Sequence, residues 1–117
     1  MKRYRLNQLP DTDSRHVFGG LVPGEFIAAG GMLFKSPGFV SHADQPRHVH
    51  DKEEIFVILQ GKARVRFDDR VEHLVAGDVV VIEPGENHHL EADEREPCIN
   101  LYIECGPNPN PQQLARP

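Results

Sequence analysis

The sequence predicts a single all-β domain, a sandwich or closed barrel of short antiparallel strands. Seven apolar segments of strand length recur, each closed by turn residues: "EFIAAGGMLFK", "EIFVILQ", "KARVRFD", "RVEHLVA", "DVVVIEP", "HHLEA" and "CINLYIEC". None keeps a helical period over ten or more residues. Ten glycines and ten prolines in 117 residues also suit many turns between short strands better than long helices. A chain of this length fits one domain with a real core.

Taken in order, the first fifteen residues are polar and mixed, and fit either a frayed arm or an edge strand used in dimerisation. In "EIFVIL" and "DVVVI" the apolar residues are continuous, so these strands should be covered on both faces and run through the middle of the architecture. "KARVRFD" alternates: Ala63, Val65 and Phe67 form one face, and Lys62, Arg64, Arg66 and Asp68 the other. "FDDRVEHLV" reads as a hairpin with Asp68, Asp69 and Arg70 near its tip, and "AGDVV" as a tight turn at Gly77. In "CINLYIEC", Asn100 and Tyr102 oppose Ile99, Leu101 and Ile103, so one of the two rows faces the interior. If it is the polar row, Asn100 and Tyr102 could orient a substrate; otherwise they are the solvent face of an edge strand. The expected division is an N-terminal arm with edge strands over 1–33, a barrel over 34–106 and an extended proline-rich tail over 107–117.

Hydrophobic residues make up 38% and charged residues 26%, the balance of a globular chain rather than a disordered one. Net charge is −5 and there is no block of Lys or Arg, which excludes a phosphate-backbone footprint and makes nucleic acid an unsuitable partner. After "MKRYRL" comes "NQLPDTDSR" where a signal peptide needs an apolar core, and no run approaches a membrane span. A cytoplasmic protein with no membrane partner is expected. Cys98 and Cys105 share one apparent strand, roughly 23 Å apart on opposite faces, too far for a disulfide. Two reduced thiols agree with that compartment.

The chemistry lies in "HVHDKEEIFVILQG" and "EPGENHHLEA". His48 and His50 are two apart, so on an extended chain both imidazoles point to one face with Cα atoms about 7 Å apart. Glu54 keeps that parity and Glu53 does not. Phe56 shares it as well, and either walls a pocket or belongs to ordinary core. Pro84 and Gly85 turn the chain before His88 and His89, and an antiparallel neighbour could bring one of these two to the same place. His16 and His73 read as solvated surface side chains, and the roles of His42 and His89 stay open.

These residues resemble the cupin family. The spacing His-x-His, three residues, Glu, six residues, Gly is matched by His48, His50, Glu54 and Gly61 and looks like the first cupin motif. Gly77, Asp78, Gly85 and His88 fall in register with the second. The chain departs from the pattern at His42, where glycine is usual, at Glu83, with the proline displaced to Pro84, and at Ala92 in place of a closing asparagine. The resemblance implies a small cupin β-barrel of jelly-roll type, a double-stranded β-helix, and carries the metal role to His48, His50, Glu54 and His88. His89 is not the matching position.

Three nitrogens and one oxygen suit one divalent transition metal per chain, whether Fe, Mn, Ni, Co, Cu or Zn. On an octahedral ion such a set leaves two positions open. The resemblance then implies a protein acting on a small organic molecule, foremost a metal-dependent enzyme such as a dioxygenase. The alternatives are a non-catalytic ligand-binding or sensing module, and a metal-dependent isomerase or lyase. A homodimer is expected, because a small barrel leaves strand edges unpaired.

Overall fold

The structure is a computed structural model that describes residues 1–5, 7, 8 and 26–106; the expected tail and His16 lie outside this set. Eight strands are present: β1 (Lys2–Arg5), β2 (Phe26–Lys35), β3 (Glu53–Gln60), β4 (Lys62–Arg66), β5 (Val71–Val75), β6 (Asp78–Ile82), β7 (His89–Ala92) and β8 (Cys98–Gly106). They form a five-stranded sheet in the order β1-β6-β3-β8-β2 and a three-stranded sheet in the order β5-β4-β7. Every pairing is antiparallel. This is the all-β jelly-roll arrangement that the strand spacing and the motifs predict.

The two sheets pack face to face. Phe56, Ile58, Val80 and Ile82 of the larger sheet meet Val65, Leu74 and Leu90 of the smaller one in a single core. On the alternating strand β4, Ala63 and Val65 are buried while Lys62 and Arg66 are exposed. The continuous apolar runs behave as expected of strands covered twice: β6 is buried at all five positions, and Ile55, Val57, Val79 and Val81 form a second cluster on the other face of the larger sheet. The chain passes from one sheet to the other through a single residue, Gly61, between β3 and β4.

Within the first fifteen residues, the described Lys2–Arg5 form an edge strand: β1 pairs with β6 of its own chain, and Arg3 and Arg5 reach the buried Asp78 carboxylate at 2.9 and 2.8 Å. Of the two alternatives left open for β8, the edge strand does not apply. It lies between β3 and β2, and its polar row faces inward, with Asn100 fully buried. Strand β2 runs from Phe26 to Lys35 and so spans residues 33 and 34. Cys98 and Cys105 both lie on β8, as expected, and Cys98 is a buried free thiol. His73 is exposed on β5. No helix among the described residues is long and apolar enough to cross a membrane.

Candidate metal centre

His48 and His50 do not sit on a strand but on the extended segment that leads into β3, which begins at Glu53. That segment is tied to the turn before β7 by two backbone hydrogen bonds, from His88 N to His48 O at 3.1 Å and from Gly85 N to His50 O at 3.1 Å. A third bond runs from His48 N to the Asn87 side-chain oxygen at 2.7 Å. These bonds bring the two motifs side by side, although 38 positions separate His50 from His88 in sequence. Glu54, on the first turn of the β3 pleat, points to the same place. Its neighbour Glu53 turns to the opposite face.

The four residues converge. His48, His50 and His88 each offer a nitrogen, all within 4.8 Å of one another. The Glu54 Oε1 atom lies 3.1 Å from His50 Nε2 and 3.0 Å from His88 Nε2. The other ring nitrogen of each histidine is engaged by an oxygen: Nδ1 of His48 by the Gln45 side chain at 3.0 Å, of His50 by the Lys52 carbonyl at 2.9 Å and of His88 by the Glu86 carbonyl at 2.8 Å. A carbonyl oxygen only accepts, so Nδ1 carries the proton and Nε2 is the atom presented inward. Outer partners of this kind fix tautomer and ring orientation in metal-binding histidines.

An Nε2 lone pair cannot face a carboxylate oxygen at about 3 Å without a cation between them, either a proton or a metal ion. The electrostatics agree. Burial alone would raise the Glu54 pKa, but the bonds from His88 and His50 outweigh it and hold the carboxyl below its ordinary value. Burial would likewise lower His88, but Glu54 and the Glu86 carbonyl outweigh it and raise its pKa. His48 is pushed down to about 4 by burial and by the adjacent His42 and His88. At neutral pH the site therefore holds a carboxylate and a neutral His48, and Glu54 makes His88 hold a proton more tightly than an ordinary imidazole. This donor set fits a divalent transition ion.

Some neighbours lie beyond the sequence reading. Glu104 falls within the same 4.8 Å limit of His50 and Glu54, and it is paired with Glu54 across β3 and β8. It continues the row of Asn100 and Tyr102 by two residues, and that parity is the signal that could have found it. His42 adopts φ 52°, in the left-handed region where a side chain is strained and glycine is not. This accounts for glycine being usual at that position of the motif. The His42 ring stacks on His48 with centroids 3.7 Å apart, so the strained backbone places a fourth imidazole over a candidate ligand. His89 is not part of the cluster: its Nδ1 meets the Ser41 carbonyl at 2.9 Å, and its ring centroid is 6.5 Å from that of His48.

Beside the cluster opens a cavity of about 300 Å³. Phe56, Leu33 and Leu90 give it apolar walls, and Lys35, Ser41, Asn100, Tyr102 and Glu104 add polar lining besides the histidines and Glu54. Phe56 thus does both things allowed for it, packing in the core and edging His88 with ring centroids 6.1 Å apart. The volume is at the lower end of the roughly 300–1,000 Å³ typical of small-molecule sites.

A two-sheet barrel that gathers three histidines and a carboxylate defines an all-β barrel with a candidate ion site. Residues 39–104 match the family model for the cupin domain, and the chain belongs to that family. No curated protein sequence matches it. Among solved structures it is similar to a cupin protein from Bacteroides fragilis, at 26% identity over 69% of this chain and 67% of that one, with a TM-score of 0.58. It is also similar to a cupin-2 domain containing protein from Shewanella frigidimarina, at 28% identity over 64% and 67%, TM-score 0.53. A Cupin 2 conserved barrel domain protein from Salinispora arenicola shares the fold at 21% identity over 88% and 73%, TM-score 0.55.

Proposed function

We propose that this cupin holds one divalent transition metal through His48, His50, Glu54 and His88 and acts on a small organic molecule as a metal-dependent enzyme such as a dioxygenase. The observation that supports this best is the orientation of the three imidazoles, each with Nδ1 engaged outward beside an ionised Glu54. An ion bound there would supply Lewis acidity or redox chemistry. The chain's own residues do the rest: Phe56, Leu33 and Leu90 give the cavity an apolar wall, and Asn100 and Tyr102 offer hydrogen-bonding groups that can orient a ligand. A second reading, an isomerase or lyase, is favoured by Lys35 and Glu104, because proton-transfer chemistry needs titratable groups beside the ion.

Elemental analysis followed by oxygen-uptake assays with catechols, thiols and keto acids tests the proposal. About one ion per chain with oxygen consumption is expected on four-ligand chemistry. Turnover that ignores oxygen would move the reading to isomerase or lyase, and stoichiometric metal without turnover to a binding module. A chain that takes up no metal would end it.

Metal affinity should fall with acid. His88 has a raised pKa, so below neutrality a proton competes for its Nε2, whereas His48 resists protonation down to about pH 4. Affinity for Zn(II) is expected to drop at least about tenfold per pH unit between roughly pH 7 and 5, with proton release on binding. Calorimetry in buffers of different ionisation enthalpy measures both. Affinity that is flat over this range would remove His88 from the ligand set.

A homodimer is part of the proposal. Among the described residues β2 pairs only with β8, and its outward Met32 and Phe34 are 66% and 67% exposed. Light scattering that returns a monomer mass at micromolar concentration would exclude it.

A further inference from the structure

We propose that Lys35 and Asn100 form an anion-binding subsite in the cavity wall, so that the small molecule accepted there is a carboxylic acid with an apolar body. The inference rests on the reading that this cavity is the ligand site, and it names the class of ligand.

Lys35 is 4% exposed, an unusual place for an ammonium group. It sits on the inward row of β2 with Leu33, facing Cys98 across the strand pair, where an apolar side chain would simply extend the core. The buried carboxylates among the described residues are engaged by guanidinium or imidazole side chains. Asp78 meets Arg3 and Arg5, Glu91 meets Arg64 and Arg66, and Glu54 meets His50 and His88. Lys35 differs: its polar partner among these residues is the neutral amide of Asn100, with Nζ donating to Oδ1 at 2.7 Å.

An ammonium group has three donors, and that bond uses one. Asn100 is fully buried and fixed by a second bond from its Nδ2 to the Leu101 carbonyl at 3.3 Å, so it holds the ammonium in place without neutralising it. Cys98 does not serve as a counterion, because burial raises its pKa and keeps it a thiol. Glu54 is near enough to raise the Lys35 pKa somewhat, yet burial still leaves that pKa below the ordinary lysine value. Glu54 is moreover committed to two histidines. The charge is thus desolvated and held toward a cavity that also presents an apolar wall of Leu33, Phe56 and Leu90 beside its histidines and carboxylates. A carboxylate would supply the missing negative charge, and its hydrocarbon body would cover the apolar wall.

A neutral ligand would leave the ammonium unpaired, and a cationic one would be repelled.

The test is calorimetric titration of acetate, benzoate, benzamide and inorganic phosphate into the wild type, Lys35→Met and Asn100→Asp, each metal-free and zinc-loaded. Metal content and melting temperature are measured throughout. The wild type should prefer benzoate to benzamide by about tenfold or more in both forms, the scale of one charge-assisted contact. Lys35→Met should abolish the preference and leave benzamide binding and zinc content unchanged. Asn100→Asp supplies an internal carboxylate in nearly the same volume and should abolish it too, which keeps the proposal falsifiable if Lys35→Met does not fold. Benzoate binding equal to wild type in either variant, or no preference in the wild type, would overturn the proposal. Phosphate bound more tightly than benzoate through Lys35 would overturn the carboxylic acid class in favour of phosphate esters. Failure to take up zinc would overturn the metal reading alone, because the metal-free titrations decide the role of Lys35 independently.

Discussion

His88→Ala and His50→Ala are each expected to reduce metal affinity by well over about a hundredfold, more than the ten- to hundredfold that loss of an outer hydrogen bond costs. Each removes one of three converging nitrogens, and each also leaves Glu54 Oε1 without one of its two imidazole partners at 3.0 and 3.1 Å. His89→Ala, one residue further on, should keep the metal, since its ring is turned to the Ser41 carbonyl and away from the cluster. Equilibrium dialysis against Zn(II) or Ni(II) with elemental analysis reads all three variants. Metal lost from His89→Ala and kept by His88→Ala would mean that the ligand of the second motif is His89 and that the turn after Gly85 is one residue longer in solution.

Gly61→Ala is expected to be the most damaging single substitution for the fold, destabilising it by about 3–5 kcal/mol. Two effects add. Gly61 has φ 82°, where any Cβ is strained. A Cβ at that position would also fall inside the van der Waals surface of the Pro97 carbonyl oxygen, which is backbone and cannot swing aside as a side chain could. The residue is the whole connection between β3 and β4, so neither strand has slack to absorb the clash. With a total stability of about 5–15 kcal/mol for a domain of this kind, the variant should show a large drop in urea midpoint or fail to accumulate folded protein. A midpoint within error of the wild type would show that the β8 entry at Pro97 is free to move.

The strands were readable because each carries its own evidence. Alternation in "KARVRFD" and continuous apolar runs in "EIFVIL" and "DVVVI" are local consequences of one-sided and two-sided burial. The four convergent residues were readable for a different reason, since they sit in two short motifs whose turns impose the spacing. Lys35 and Glu104 were not. Their place in the cavity depends on the register of β2 and β3 against β8, which pairs Lys35 with Cys98 and Glu54 with Glu104, and no local pattern encodes such a register. A lysine also looks like a surface residue in any sequence, because burial of an ammonium is a property of its surroundings. His42 stood out only as a departure from a glycine, and its positive φ gives that departure a physical meaning.

The backbone bonds that join His48 to His88 and His50 to Gly85 also couple ion capture to folding. Three of the four candidate ligands lie within seven residues of one another, but the fourth follows β3 to β6 in the chain and meets them only through the fold. An unfolded chain can offer an ion a partial grip at best, so the complete set belongs to the native state alone. By mass action, an ion present at about 100 times its dissociation constant would then add about 2.7 kcal/mol to stability. The melting temperature of the protein would follow the free metal concentration of its surroundings, and chelators would act on this fold as mild denaturants.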